Sequence, residues 1–182
     1  MKKLIVLIFI SSFFFISCSD EQVEIEKVIE LKRASLNAED TSVKDPKVKG
    51  AGHSGDFAFR IDSVNQYSAG FVEYLNDSLV NSRIRVCVNF WARANNPMKG
   101  DCYALSLCKK DGSCTWNTFD VINYNAKPNE WVNIVDSVTL TEEQFNDTGS
   151  LIKLFAFNAN KSTVVDFDDI TIQIKKVYTV LE

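Results

Sequence analysis

The sequence predicts an all-β domain, a two-sheet antiparallel β-sandwich with a jelly-roll or related topology. Short runs rich in β-branched and aromatic residues follow one another from Gly50 onward, and Asn, Asp, Gly and Ser separate them, which is the pattern of an all-β domain. The runs that alternate apolar and polar residues indicate strands with one buried face. Because no strong amphipathic helix follows Gly50, two packed sheets must enclose the core.

The first residues of the chain are typical of an export signal. Two lysines precede an apolar run over residues 4–16 that only two serines interrupt. A helix that spans a bilayer needs about 20 apolar residues, and this run is shorter. We therefore predict a signal peptide over residues 1–17 that is removed from the mature protein.

The residues around Cys18 resemble the signal box of bacterial lipoproteins. Residues 15–17 are Phe, Ile and Ser, where Phe15 replaces the more usual Leu. The resemblance implies that the Cys18 thiol is acylated and that its lipid chains anchor the protein to a bilayer. The acidic residues 20 and 21 resemble the signal that sends some Gram-negative lipoproteins to the cell surface. We therefore expect a protein anchored in the cell envelope, at the outer membrane and surface-exposed; an ordinary secretory signal is the alternative.

Residues 18–49 form a charged segment in which the apolar residues follow no clean period. We interpret it as a tether followed by either a short helix or a first strand. The remaining residues, 50–182, are enough for one domain. The formal net charge of the chain is −4, and no basic cluster is present. A nucleic-acid partner is not expected, because phosphate binding requires a concentrated basic surface.

Seven strands are predicted after Gly50: Phe57–Ile61, Arg83–Ala94 and residues 102–108, 116–123, 131–139, 152–157 and 164–177. In the second strand the alternation predicts a core face of Ile84, Val86, Val88, Phe90 and Ala92 and an outer face of Arg85, Cys87, Asn89, Trp91 and Arg93. The third strand is predicted to turn Tyr103, Leu105 and Leu107 inward and Cys102, Ala104, Ser106 and Cys108 outward. A tight hairpin turn follows at Lys110, Asp111 and Gly112.

Four cysteines follow Cys18, namely Cys87, Cys102, Cys108 and Cys114. An even number of thiols in an exported protein suggests two disulfides, and sequence alone leaves three pairings. If the second and third strands are neighbours, cross-strand bonds Cys87–Cys102 and Cys108–Cys114 are sterically reasonable, and Cys87–Cys108 is nearly as good. Zinc is the competing interpretation, although no CxxC pair occurs and the single histidine is distant in sequence.

Four stretches of the chain resemble the galactose-binding-like β-sandwiches and, among them, the carbohydrate-binding modules of glycan-degrading systems. These stretches are AGHSGDFAFRID, SRIRVCVNFWARA, NEWVNIVDSVTL and VVDFDDITIQI. The resemblance covers residues 53–173. It implies a β-sandwich and a carbohydrate ligand.

The resemblance also implies a structural calcium ion. Many such modules hold Ca²⁺ with an aspartate of the closing strand and with oxygens near the small-Ser-Gly turn. Asp168 or Asp169 matches that aspartate, and only one of two adjacent strand residues should face the site. A solvated acidic strand end is the alternative. No other cofactor is expected to be required.

Sugar binding by such sandwiches needs exposed aromatic rings, which stack on the C–H faces of sugars, and hydrogen-bonding side chains beside them. The predicted outer face offers these residue types at Trp91, Asn89, Arg85, Arg93, Trp116 and Asp120. Tyr124 is predicted to lie on the rim of this face, and Trp131 in the core. The alternative is that the tryptophans pack against a loop or a disulfide, or lie in a subunit contact.

The sequence therefore predicts a lipid-anchored protein that binds a glycan without chemistry. A structural or adhesive lipoprotein that uses the same face for a protein partner is the main alternative, and a small glycan-active enzyme is less favoured. The single histidine, His53, lies in a predicted turn with no nucleophile motif around it. No spacing among the acidic residues singles out a pair for glycoside cleavage.

Overall fold

A computed structural model describes residues 24–181, with only the backbone of Glu24 and Leu181. The predicted signal, residues 1–17, and the predicted lipidation site Cys18 lie outside the described residues. Among residues 24–181 there is no helix with the length and apolar character needed to cross a bilayer.

Within the described residues the chain forms ten strands and two short 3₁₀ turns. The strands are β1 (Glu24–Leu36), β2 (Lys47–Lys49), β3 (Phe57–Ile61), β4 (Tyr67–Tyr74), β5 (Arg83–Ala94), β6 (Asp101–Cys108), β7 (Cys114–Asp120), β8 (Val132–Leu140), β9 (Leu151–Asn158) and β10 (Val165–Leu181). The 3₁₀ turns are Asp77–Leu79 and Val121–Tyr124.

The strands of residues 24–181 form two antiparallel sheets. Sheet A has the order β2-β3-β10-β5-β8, and β1 also pairs with β10. Sheet B has the order β4-β9-β6-β7. The long strand β10 pairs with β3 over Val165–Phe167 and with β1 from Ile170 onward. The prediction of an all-β, two-sheet antiparallel sandwich is confirmed.

The core lies between the inner faces of the two sheets. The predicted core face of β5 is confirmed, because Ile84, Val86, Val88, Phe90 and Ala92 are all buried. At the centre, the rings of Phe90, Tyr103 and Phe167 contact one another with centroids 5.2–6.1 Å apart. The buried Tyr103 hydroxyl donates to the Ala69 carbonyl at 2.9 Å, so its polar end is satisfied.

Three differences separate the structure from the predicted strands. Strand β4 was not predicted, since a bulge at Ala69, where φ is +52°, breaks its alternation. Residues 18–49 were interpreted as a tether followed by either a short helix or a first strand; the described part of this segment contains two strands, β1 and β2. The predicted strand 116–123 ends earlier, because residues from Val121 form a 3₁₀ turn.

The structure contains one of the predicted disulfides. Cys108 and Cys114 are bonded across the β6–β7 hairpin, with Cα atoms 4.1 Å apart, which confirms that pairing. Cys87 and Cys102 are not bonded, and the predicted Cys87–Cys102 and Cys87–Cys108 pairings are wrong. Their premise fails because β5 belongs to sheet A and β6 to sheet B, although the two strands are consecutive in sequence.

Candidate functional site

The residues predicted to share one binding face lie on two faces that point in opposite directions. Arg85, Asn89, Trp91 and Arg93 belong to β5, on the outer face of sheet A. Trp116 belongs to β7, at the edge of sheet B. Because the core lies between the sheets, the prediction of a single face that contains both tryptophans is wrong.

Trp91 is covered by a turn that folds over sheet A. The His53 ring stacks on it with centroids 3.9 Å apart and an angle of 15° between the planes. Trp131 meets the same His53 ring edge-on at 5.5 Å, and the Arg93 guanidinium lies 4.8 Å from the Trp131 ring. Trp131 is therefore half-buried at the surface, and its predicted place in the core is wrong. This cluster leaves one face of Trp91 unavailable for a ligand.

The turn that carries His53 is held by the paired aspartates of β10. Asp168 is buried, and it accepts hydrogen bonds from the backbone N–H groups of His53 at 2.8 Å and Ser54 at 3.2 Å. Asp169 contacts the His53 ring nitrogen at 2.8 Å and accepts a hydrogen bond from the Ser54 hydroxyl. A bulge in β10, with Asp169 at a φ of +51°, turns both carboxylates toward the same turn. The prediction that only one of the pair can face this turn is wrong.

These contacts bear on the predicted calcium site. The Asp168 carboxylate faces three N–H groups, those of His53, Ser54 and Asp169 itself. The Asp168 carboxylate oxygens already accept hydrogen bonds from these N–H groups. A calcium ion would need the same oxygens as ligands. Among residues 24–181, no three His, Cys, Asp or Glu side chains are grouped to hold a metal. Calcium at Asp168 or Asp169 stays a prediction. The described residues do not form the set of oxygen ligands that it would require.

The predicted arginines of sheet A are engaged within the protein. Arg93 and Arg60 both contact Asp166, at 2.8 Å and 2.7 Å, and Asp166 is only 3% exposed. The hydrogen bond to Asp166 raises the pKa of the Arg60 guanidinium. Arg85 pairs with Glu26 of β1 at 2.9 Å. These side chains stabilise the packing of the outer face, because each charge already has its partner.

An open cleft of about 650 Å³ lies on sheet A between the Trp91 and Arg85 positions of β5. Its lining includes Cys87, Asn89, Thr171, Ser137 and Gln173, and no aromatic side chain is among the lining residues. Asn89 accepts a hydrogen bond from Asn133 at 3.0 Å. The cleft therefore offers hydrogen-bonding groups to a ligand without a ring on which a sugar could stack.

The outer face of sheet B carries an aromatic row formed by Tyr67 of β4, Phe155 and Phe157 of β9, and Trp116 of β7. The Trp116 ring meets Phe155 edge-on at 5.6 Å. Tyr67 lies 5.7 Å from Phe155 and stacks on Phe157 at 5.1 Å. Trp116 and Tyr67 are each 57% exposed. The row thus crosses sheet B and presents its two terminal rings to solvent.

Short side chains on β6 explain the shape of this row. The outward residues of β6 are Cys102, Ala104, Ser106 and Cys108, and all are buried. Their neighbours across the sheet are large, since Trp116 pairs with Ser106 and Phe155 pairs with Ala104. The rings therefore lie over the central strand. The predicted outward phase of β6 is confirmed, and its outward residues are buried although they face away from the core.

Asp120 and Tyr124 do not belong to the aromatic row. Asp120 is buried and accepts hydrogen bonds from the Gly100 backbone N–H at 2.9 Å and the Thr118 hydroxyl at 3.2 Å, which fixes the end of β7. The Tyr124 hydroxyl donates to Asp136 of β8. Burial, together with this hydrogen bond, raises the pKa of Tyr124. Both residues have structural partners in place of a ligand.

Tyr67, Phe155 and Phe157 are the residues of this face that were not predicted. Alternation in the predicted strand 152–157 places Phe155 and Phe157 on the face opposite Ile152 and Leu154, so β9 carried a usable signal. Tyr67 had none, because its strand was not predicted.

No family model matches this chain, and no curated protein sequence matches it. Solved structures to which it is similar include a family 16 carbohydrate-binding module, at 14% identity over 69% of this chain and 82% of that one, with a TM-score of 0.40. Another is a putative sugar binding protein from Bacteroides thetaiotaomicron, at 14% identity over 78% and 87% of the chains, with a TM-score of 0.40.

A third similar structure is the xylanase 10B of Clostridium thermocellum, whose carbohydrate-binding and catalytic modules were solved with xylohexaose. The identity is 16% and the TM-score 0.41 over 81% of this chain, which spans 25% of that one. At these values the similarities carry no argument about a ligand of this chain. The β-sandwich assignment follows from the strand pairing described above.

Proposed function

We propose that this protein binds a glycan, without chemistry, on the outer face of sheet B. The observation that carries the proposal is the aromatic row, whose terminal rings at Trp116 and Tyr67 are more than half exposed. Exposed aromatic rings lose unfavourable contact with water when the C–H face of a sugar stacks on them. The proposal includes anchoring of the protein in the cell envelope by lipid on Cys18, at the outer membrane and on the cell surface.

The dimensions of the row suit a chain of sugars. Adjacent strands lie about 4.8 Å apart, so the four strands of sheet B place the first and last rings roughly 14 Å apart. A short oligosaccharide that lies across the strands can stack on Trp116 at one end and Tyr67 at the other. The Thr118 side chain is exposed beside Trp116 and supplies a hydroxyl at the rim.

The outer face of sheet A supports the proposal less well. Its cleft contains hydrogen-bonding side chains, but the nearest tryptophan, Trp91, is stacked against His53. Stacking on the face of Trp91 that His53 covers would require the turn at His53 to leave Asp168 and Asp169. We therefore assign the glycan to sheet B and leave Asn89, Arg85 and Arg93 outside the proposed site.

A protein partner on the same face is the second candidate. Val72 and Tyr74, which are exposed on the edge strand β4, extend the aromatic row into a larger apolar surface. Contiguous exposed apolar surface of this kind is typical of protein contacts. The same face would then serve an adhesive or structural lipoprotein.

A glycan array screened with the full-length chain in detergent tests the proposed function. Trp116→Ala should lower the affinity for a captured glycan by roughly tenfold, since it removes one stacking ring. Trp91→Ala is the matched control, because it removes the same side chain from sheet A, and it should leave the affinity unchanged. Absence of binding by the folded wild-type chain to any glycan on the array would contradict a sugar site on sheet B. Equal losses of affinity in both variants would also contradict it.

The lipid anchor has its own test, independent of any glycan. Cell fractionation should recover the wild-type chain with membranes and the Cys18→Ala variant elsewhere. Recovery of both proteins with membranes would contradict acylation of Cys18 as the anchor.

A further inference from the structure

A single lysine of the described strands, Lys153, lies beside the aromatic row on the outer face of sheet B. Lys153 of β9 follows Leu151 and precedes Phe155 on the outer side of the strand. Across the sheet it pairs with Ser106 of β6 on one side and Val72 of β4 on the other. All four of these neighbours are uncharged, so Lys153 is a positive charge surrounded by apolar and neutral groups.

The charge of Lys153 has no balancing carboxylate in the part of the chain that the structure describes. Within residues 24–181 it takes part in none of the ion pairs, which use Lys32, Arg33, Arg60, Arg83, Arg85, Arg93, Lys127 and His53. The whole chain has 24 acidic residues against 20 basic ones. Lys153 is half-buried on the outer face of sheet B, and no described residue supplies an ion-pair partner for its ammonium.

A ligand stacked on the row changes the surroundings of this ammonium. In the free protein the lysine stem can cover apolar surface while water solvates its charge. A glycan that stacks on Trp116 and Phe155 excludes part of that water, and an ammonium that loses water without gaining a partner costs free energy. An anionic group on the ligand removes this cost and adds a charge-assisted hydrogen bond.

We propose that the glycan bound by sheet B is acidic, with a carboxylate or sulfate substituent that contacts the Lys153 ammonium. This inference rests on the proposed glycan site. Trp116 and Lys153 lie on one row of the sheet, separated by the single strand β6, so their Cα atoms are roughly 10 Å apart. A sugar stacked between these positions can direct its acidic substituent to Lys153 while its ring contacts Trp116 or Phe155.

Titration calorimetry with three oligosaccharides of equal length tests the substrate class. The probes are a neutral glucan, an oligogalacturonate and a sulfated glucan, each titrated into the full-length chain in detergent. The wild-type chain should bind one or both acidic probes about five- to tenfold more tightly than the neutral one, and added salt should reduce this preference. The two acidic probes distinguish a carboxylate ligand from a sulfate ester.

Variants of Lys153 separate a role in recognition from a role in packing. Lys153→Gln should abolish the preference for the acidic probe and leave binding of the neutral probe intact, while Lys153→Arg should retain the preference. Lys175→Gln is the matched control, because it removes a lysine from the outer face of sheet A, and it should change nothing. Circular dichroism and melting curves confirm that each variant is folded.

Failure of this inference differs from failure of the proposed function. Equal affinity for neutral and acidic probes, unchanged by Lys153→Gln and lost in Trp116→Ala, overturns the acidic ligand and leaves the glycan site intact. Absence of binding to any glycan, in the calorimeter and on the array, overturns both.

Discussion

The outer faces of the two sheets differ in how their side chains are used. On sheet A the charged residues pair with one another, as Asp166 does with Arg60 and Arg93, and a turn covers Trp91. On sheet B the aromatic row lies open, with Trp116 and Tyr67 more than half exposed. Both tryptophans occupy outward positions of their strands. An outward position in a strand therefore does not by itself make a tryptophan available to a ligand.

The difference has a physical cause in the neighbouring segments. The turn at His53 leads directly into β3, and the bulge at Asp169 gives it two carboxylates to bind, so it settles over Trp91. No comparable set of contacts brings a described loop over Trp116. The small outward residues of β6 let the rings of β7 and β9 lie across the sheet, where water or a ligand can reach them.

Removal of the buried Asp166 carboxylate on sheet A should have the largest effect on the stability of the protein. Asp166→Ala leaves two guanidiniums, Arg60 and Arg93, facing each other in a partly buried place. Loss of one partner from such a network should lower the free energy of unfolding by about 3 kcal/mol. Urea unfolding followed by tryptophan fluorescence measures this change.

The exposed acid Glu142 provides the control for this measurement. Glu142→Ala should change the free energy of unfolding by less than about 0.5 kcal/mol. If Asp166→Ala has an equally small effect, the charged network is not what stabilises the outer face of sheet A.

Substitution of the two tryptophans should also have different effects on the free energy of unfolding. Trp91→Ala removes the ring between His53 and the sheet, and we expect a loss of about 2 kcal/mol in the free energy of unfolding. Trp116→Ala removes a ring that is mostly in water, and its loss should stay below about 1 kcal/mol. Thermal melting of the two variants beside the wild type gives both values. Equal losses would mean that Trp116 is a packing residue rather than an accessible one.

The smallest expected effect concerns Cys87 and Cys102, the two free thiols among residues 24–181, which should differ in reactivity. Cys87 lies in the cleft of sheet A and is partly exposed, whereas Cys102 on β6 is 1% exposed under the rings of sheet B. Burial raises the pKa of the Cys102 thiol to about 12, so almost none of it is thiolate at pH 8. Iodoacetamide at pH 8 should therefore alkylate Cys87 in the folded protein and Cys102 only after unfolding.

Peptide mapping by mass spectrometry assigns the modified cysteine in that experiment. The Cys87→Ser variant should lose the early modification. Alkylation of Cys102 at the rate of Cys87 would show that the aromatic row does not cover β6.

Much of the sandwich could be predicted because its strands and turns are specified by residues that are close together in the sequence. The alternation in β5 gave the correct core face, since side chains of successive strand residues point to opposite sides wherever the strand is placed. The Cys108–Cys114 bond was predictable for the same reason, because a short hairpin brings its two ends together. Strand β4 was missed where the bulge at Ala69 interrupts this regularity.

The binding face could be predicted only in part. Trp116 was recognised by residue type, but its partners Tyr67, Phe155 and Phe157 come from strands distant in sequence. Trp91 looked equivalent in the sequence, since nothing local shows that His53 stacks on it. Arg85 and Arg93 likewise appeared available, although their carboxylate partners lie on β1 and β10.

The sequence by itself determined most of the strands and the inward and outward phase of β5, and it offered the hairpin disulfide as one of the open pairings, because each depends on residues within a few positions of one another. The assignment of β5 and β6 to opposite sheets was decided only by the tertiary structure. That assignment rules out a bond between Cys87 and Cys102 and puts Trp91 and Trp116 on opposite surfaces. These outcomes depend on which strands pair, and pairing is set by packing of the whole core rather than by any one segment.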